Sequence, residues 1–153
     1  MKTLKLGITC LTLLSSLTLG TATLAHRGSQ PVKPQELVCL AENIYHEARG
    51  ESLQGQIAVA QVTVNRVSSG KFQNTVCKTV YAPSQFSWTR NKRKAVKDSK
   101  AWQASLDIAR VVLSQSITLP DFQALYFHTK QVRPSWANRL TVVAVINNHI
   151  FYS

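Results

Sequence analysis

Only two cysteines, Cys39 and Cys77, remain in this 153-residue chain once its N-terminal leader is set aside. In an oxidising compartment such a pair forms one disulfide. The loop it would close is about 39 residues long, a constraint worth roughly 4 kcal/mol in the chain-entropy model. It would tie the first helix expected below to a distant, irregular segment, and so restricts the fold more than any other feature. Two buried free thiols are the alternative. A two-cysteine metal site has no support, because no Cys-x-x-Cys pair occurs.

The oxidising compartment is itself an inference from the leader. Residues 1–25 read as a secretory signal. Lys2 and Lys5 give the positive start, an apolar run covers residues 6–19, and Thr23-Leu24-Ala25 places small residues around a cleavage point, with Ala22 a second option. Thr, Ser and Gly interrupt the run, which falls short of the about 20 apolar residues needed to span a bilayer. The expectation is export to the periplasm, the cell wall or the outside, with no stable membrane insertion after cleavage. Residues 26–35, with Pro31 and Pro34, read as a short linker, and residues 36–153 as a single domain, expected to be monomeric.

Eighteen Lys and Arg against seven Asp and Glu give a net charge of +11, and loss of Lys2 and Lys5 leaves +9. With 44% hydrophobic residues, the composition excludes a disordered chain, a coiled coil and a multi-span membrane protein. The charge favours polyanionic partners, bound in a salt-dependent way. A nucleic-acid partner is not expected, since no helix-turn-helix, RRM or zinc-finger pattern appears.

Periodicity predicts a helix over residues 36–49, with Leu37, Leu40, Ala41, Ile44 and Ala48 on one face and Gly50 as its stop. Residues 54–67 are ambiguous. Ile57, Val59, Val62 and Val64 are β-branched, yet Ala58, Val62, Asn65 and Arg66 sort by helical period; length favours a helix. Ser68-Ser69-Gly70 ends it. Residues 71–89 read as irregular. Residues 90–100 hold six basic side chains (Arg90, Lys92, Arg93, Lys94, Lys97 and Lys100), either a solvated loop or an anion-facing one. Residues 99–113 form a clear amphipathic helix, and residues 124–128 and 140–145 read as short strands.

Three of the seven acids lie close together: Glu42, Glu47 and Glu51. A carboxylic acid near a helix end, its pKa raised by apolar neighbours, can protonate a leaving oxygen. A lone helical Glu is more often solvated. His46-Glu47 suggests a zinc-binding helix, but the second His that motif needs would fall at Gly50, so no metal or other cofactor is expected. No Gly-x-Ser-x-Gly elbow is present. Gln85-Phe86-Ser87-Trp88 joins an amide, a hydroxyl and two aromatics, groups able to line a saccharide cleft or to plug a core. Trp136 carries the same ambiguity, and His128 and His149 could each be a core histidine, a substrate contact or a metal ligand, the core reading being favoured.

Together these strings resemble the cell wall hydrolases of SleB type, which include spore-cortex-lytic enzymes. The similarity begins at Ala41-x-x-Ile44-Tyr45-x-Glu47-Ala48-Arg49-Gly50-Glu51 and continues through Gly55-Gln56-x-Ala58-Val59-Ala60-x-Val62-x-x-Asn65-Arg66-Val67. Further blocks are Val76-Cys77-x-x-Val80-Tyr81, Gln85-Phe86-Ser87, Ala124-Leu125-Tyr126-Phe127-His128, Pro134-x-Trp136 and His149-x-Phe151-Tyr152. The Tyr-Gly-Glu often seen in the family is Tyr45-His46-Glu47 here.

The resemblance implies an α+β, lysozyme-like (lytic transglycosylase-like) domain, mainly helical with a small β element. It also resolves residues 54–67 as a helix. Its implied substrate is the glycan strand of peptidoglycan, cut between N-acetylmuramic acid and N-acetylglucosamine. The outcome expected is a lytic transglycosylase forming 1,6-anhydro ends, with a hydrolytic muramidase or glucosaminidase, or a non-catalytic peptidoglycan-binding module, as alternatives. Glu47 becomes the catalytic residue. Gln85, Ser87, Trp88, Tyr126 and His128 become substrate-binding candidates, and Glu51 and Glu42 possible helpers.

Overall fold

The computed structural model describes residues 31–90 and 95–153. The expected signal, the first half of the linker and the basic cluster Lys92, Arg93 and Lys94 lie outside these residues.

Helix α1 spans Pro34–Ala48. Proline is tolerated there because the first N–H groups of a helix have no partner within it. Pro34 and Gln35, expected in the linker, are therefore already helical. A tight connection leads to α2, Leu53–Ser69, where the Ser52 hydroxyl accepts from Gly55 N and Gly70 closes the helix at φ 69°. That left-handed backbone suits glycine best, because it has no Cβ to clash. The ambiguous stretch is thus helical throughout.

The stretch expected to be irregular contains a five-residue helix, α3, Val76–Val80, and a 3-10 turn at Ser87–Thr89. Its one local support is the Thr75 hydroxyl, which accepts from Lys78 N at 3.2 Å, and a single cap does not sustain so short a helix. It is held from outside. Glu36 of α1 reaches across and its Oε2 accepts from Val76 N at 2.6 Å and from Cys77 N at 3.4 Å. The Cys39–Cys77 disulfide fixes the same two helices. A carboxylate on the exposed N–H groups of a helix start does the work of a cap supplied from another element.

Helix α4, Ser99–Leu113, begins on Asp98, whose side chain accepts from Ala101 N. Helix α1 packs against α2, α3 and α4, and these contacts enclose a core around Leu40, Ile44, Val80, Phe86, Ile108 and Val112. A second core lies beneath the sheet, with Val59, Val62, Phe122 and Phe151.

The sheet has three antiparallel strands: β1, Tyr126–Thr129; β2, Val142–Ile146; and β3, His149–Tyr152. Their order is β1-β3-β2, so the strand missed in the sequence is the central one. A four-residue strand is too short to show alternation, and Asn147-Asn148 before it reads as a loop. In the structure it is the tight turn joining β2 to β3, with Asn147 at φ 48°. The two expected strands are present, each starting two residues and ending one residue later than expected.

The link from α4 to β1 has little regular structure and is stitched to α2 by polar side chains. Gln61 exchanges hydrogen bonds with both backbone groups of Leu119, and Asn65 Nδ2 donates to Phe122 O and Ala124 O. Arg66 Nε donates to Leu125 O at 2.7 Å. Gln61 and Arg66 are buried and Asn65 is half-buried, held by their polar groups and not by apolar surface. Among the described residues no helix is long and apolar enough to cross a membrane.

Candidate active site

Glu47 is the penultimate residue of α1. Its neighbours Ile44 and Ala48 are buried, which turns Glu47 toward the edge of the core, where it is half-buried. Two recesses meet there. The larger, about 710 Å³, runs past Tyr45, His46, Lys97 and Asp98. The smaller, about 500 Å³, runs past Arg66, Phe72, Gln85 and Tyr126. Glu47 and Ser87 line both, so together they read as one groove with the carboxyl near its middle.

Burial holds the Glu47 pKa above the usual 4.5, because desolvation disfavours the charged form. Two groups pull the other way: the Trp88 indole N–H and, more weakly, the positive charge of Arg66. Trp88 Nε1 is buried and makes no hydrogen bond of full geometry, so it tempers the carboxyl without clamping it. The result is a carboxyl whose neutral, proton-donating form is favoured more than that of a solvated carboxylate, beside a wide opening.

The walls are built from packed aromatic rings. Trp88 stacks on His46 with ring centres 4.4 Å apart and lies 6.2 Å from Phe86. The Tyr45 hydroxyl accepts from the backbone N–H of both Lys97 and Asp98 at 3.1 Å, pinning the approach to α4 against α1. On the other side, Trp136 packs 5.8 Å from Tyr126, which packs 5.8 Å from Phe72. Aromatic faces set around a polar groove suit sugar rings, which offer apolar C–H faces and polar rims.

Four of the five expected substrate-binding residues line this groove: Gln85, Ser87, Trp88 and Tyr126. His128 does not. Its ring nitrogens lie 2.9 Å from Thr129 O and 2.8 Å from Tyr152 Oη, and it borders a separate depression with Lys130 and Arg133. The two helper candidates are also elsewhere. Glu42 accepts the Tyr81 hydroxyl. Glu51 accepts from Asn148 N at 3.2 Å and lies 3.8 Å from His149 Nδ1, joining the α1–α2 connection to the β2–β3 turn. Both are ties between elements.

Sequence reasoning did not single out Arg66 and Asp98 as groove residues. Arg66 was detectable as a charged residue at a helical position otherwise destined for burial. Asp98 gave no signal beyond its place as a helix cap. Among the described residues no cluster of three His, Cys, Asp or Glu could hold a metal ion.

The family model described as Cell Wall Hydrolase matches residues 50–152. The chain belongs to the cell wall hydrolase family. The matched residues begin three positions after Glu47, so that match does not include the carboxyl itself.

Two of this family member's relatives are spore cortex-lytic enzymes. That of Oceanobacillus iheyensis is 32% identical over 125 residues, 80% of this chain and 43% of that protein. That of Bacillus subtilis (strain 168) is 32% identical over 115 residues, 73% of this chain and 35% of that protein. The chain thus spans less than half the length of the relatives it matches. Among solved structures, the catalytic domain of the germination-specific lytic transglycosylase SleB from Bacillus anthracis superposes with a TM-score of 0.66 at 28% identity. The overlap covers 81% of this chain and 98% of that one. The Bacillus cereus SleB catalytic domain gives 0.62 at 29% identity, covering 81% and 94%. The fold is therefore the expected lysozyme-like α+β one.

Proposed function

We propose that this protein is an exported enzyme that cleaves the glycan strand of peptidoglycan, with Glu47 as its proton donor. The observation that carries the reading is a half-buried carboxyl, its pKa raised by burial, where two aromatic-walled recesses meet. The relatives named for cortex lysis and the SleB catalytic domains support peptidoglycan as substrate.

In this mechanism, protonated Glu47 donates to the glycosidic oxygen as the bond to the muramic anomeric carbon breaks, and an oxocarbenium-like centre develops there. The resulting Glu47 carboxylate, steadied by Arg66 and the Trp88 N–H, then takes the proton of the same sugar's 6-hydroxyl. That oxygen closes on the anomeric carbon and leaves a 1,6-anhydro end. One carboxyl serves as acid and then as base, and no water is consumed.

A hydrolytic alternative rests on one observation: Asp98 is the only other carboxylate lining the groove among the described residues. A second carboxylate could activate water. Against this, one Asp98 oxygen already caps α4, so the single-carboxyl route is favoured. Mass spectrometry of fragments from purified sacculi decides, since anhydro ends weigh one water less than reducing ends. Glu47→Gln should lower the rate of fragment release at least about 100-fold, the usual scale of general acid catalysis. Retention of wild-type turnover would overturn the assignment. Export itself is tested by sequencing the N-terminus of the protein recovered from cell fractions, with cleavage expected after Ala25 or Ala22.

A further inference from the structure

Arg66 is the only Lys or Arg buried among the described residues, at 4% exposure. Its position in α2 explains part of this: Nε holds Leu125 O, and the guanidinium lies over the rings of Phe72 and Phe86, at 5.2 and 5.6 Å. That accounts for one of its five N–H bonds. Nη1 is buried with no hydrogen-bond partner, and no described carboxylate forms an ion pair with the residue. Burying a cation unpaired is costly, and proteins seldom accept the cost without a use. A neutral amide at this position would reach the Leu125 carbonyl without carrying a charge.

The missing partner has a natural source. Arg66 lines the smaller recess beside Glu47, between aromatic walls. A guanidinium is a planar donor fork matched to carboxylate and carbonyl oxygens. A muramic acid ring carries two such acceptors, the 2-acetamido carbonyl and the 3-lactyl carboxyl group.

We propose that Arg66 is a substrate-binding residue that donates to an oxygen acceptor on the 2- or 3-substituent of the sugar bound beside Glu47. The proposal rests on the glycan reading above and extends it to a named subsite. It couples binding to chemistry. A lactyl carboxylate docked on Arg66 offsets part of the positive field that otherwise favours the Glu47 carboxylate.

The test uses the Glu47→Gln protein, so that glycans bind without turnover. It is titrated with chitotetraose, which carries only acetamido groups, and with a stem-free muramyl tetrasaccharide, which adds the lactyl carboxylate. The readout is the Arg66 Nε–Hε NMR resonance together with affinity. Movement with both glycans assigns the acetamido carbonyl; movement with the muramyl glycan alone assigns the lactyl group. Adding Arg66→Lys, which keeps the charge but loses the fork, should weaken binding of the responsive glycan about tenfold or more. If a glycan binds while the Arg66 resonance stays still, the subsite is wrong even though the glycan reading survives. If wild-type protein releases no fragments from sacculi and the Glu47→Gln protein binds neither glycan, both fail together. Should Arg66→Lys misfold, the NMR arm still decides, because it needs no change at Arg66.

Discussion

The two ends of α1 are built on opposite principles. At the N-terminal end the key groups are matched: Glu36 satisfies the start of α3, and Cys39 is bonded to Cys77. At the C-terminal end, Glu47 is half-buried, Trp88 Nε1 and Arg66 Nη1 lack partners, and the carboxyl pKa is displaced upward. One end of the helix is tied by a disulfide and hydrogen bonds, and the other leaves polar groups without partners at the groove. Glu36 and Glu47 are the same residue type on one helix, so the contrast comes from their surroundings.

Removing the constraint at the stable end should have the largest effect. Reduction of the disulfide, or Cys39→Ala with Cys77→Ala, should cost about 4 kcal/mol of unfolding free energy, read as a lower urea midpoint. The groove should survive in molecules still folded, so activity per folded molecule at low temperature should hold; a loss there would erase the distinction between the two ends. Glu36→Ala should cost less, about 1–2 kcal/mol, as for the loss of a helix cap, again with activity retained.

Glu47→Gln should invert the pattern, with activity lost and stability gained. A group whose folded pKa is raised favours the folded state at low pH and penalises it as pH rises through that pKa. The variant should therefore melt higher than wild type at pH 7, and the gap should shrink as pH falls toward 4.5. Equal melting temperatures at pH 7 would mean the carboxyl is solvated, and the groove argument would weaken with it.

A smaller effect belongs to His149. Burial, chiefly, lowers its pKa below 6.5; Glu51 opposes the shift and His128 adds to it. As pH falls through 6.5 the unfolded chain takes up the proton first, so stability should decline until the folded state is protonated too. His149→Leu should flatten the urea midpoint between pH 7.5 and 5.5 relative to wild type.

How much of this was legible varies by element. Helix α4 was visible at its observed bounds because its apolar stripe repeats cleanly over fifteen residues. Helix α2 was obscured because Ile57, Val59, Val62 and Val64 are β-branched and favour a strand by local preference, and only packing against α1 and α4 overrides that preference. Strand β3 was missed although it is central, since its identity depends on partners drawn from β1 and β2. In the groove, Glu47, Gln85, Ser87, Trp88 and Tyr126 were found through the resemblance rather than through spacing. Glu42, Glu51 and His128 share blocks with them, yet the fold turns each toward another element.

The chain's own order of residues was enough to mark α1 and α4 by period, its cross-link by a lone cysteine pair and its family by ordered blocks, and to make Glu47 the candidate acid. These are local or additive signals, written along the backbone. Which carboxylates are tied and which is left waiting, and that Arg66 of α2 comes to stand beside Glu47 of α1, were decided only by packing. Desolvation and charge fields depend on distance in space, and the sequence alone does not specify it.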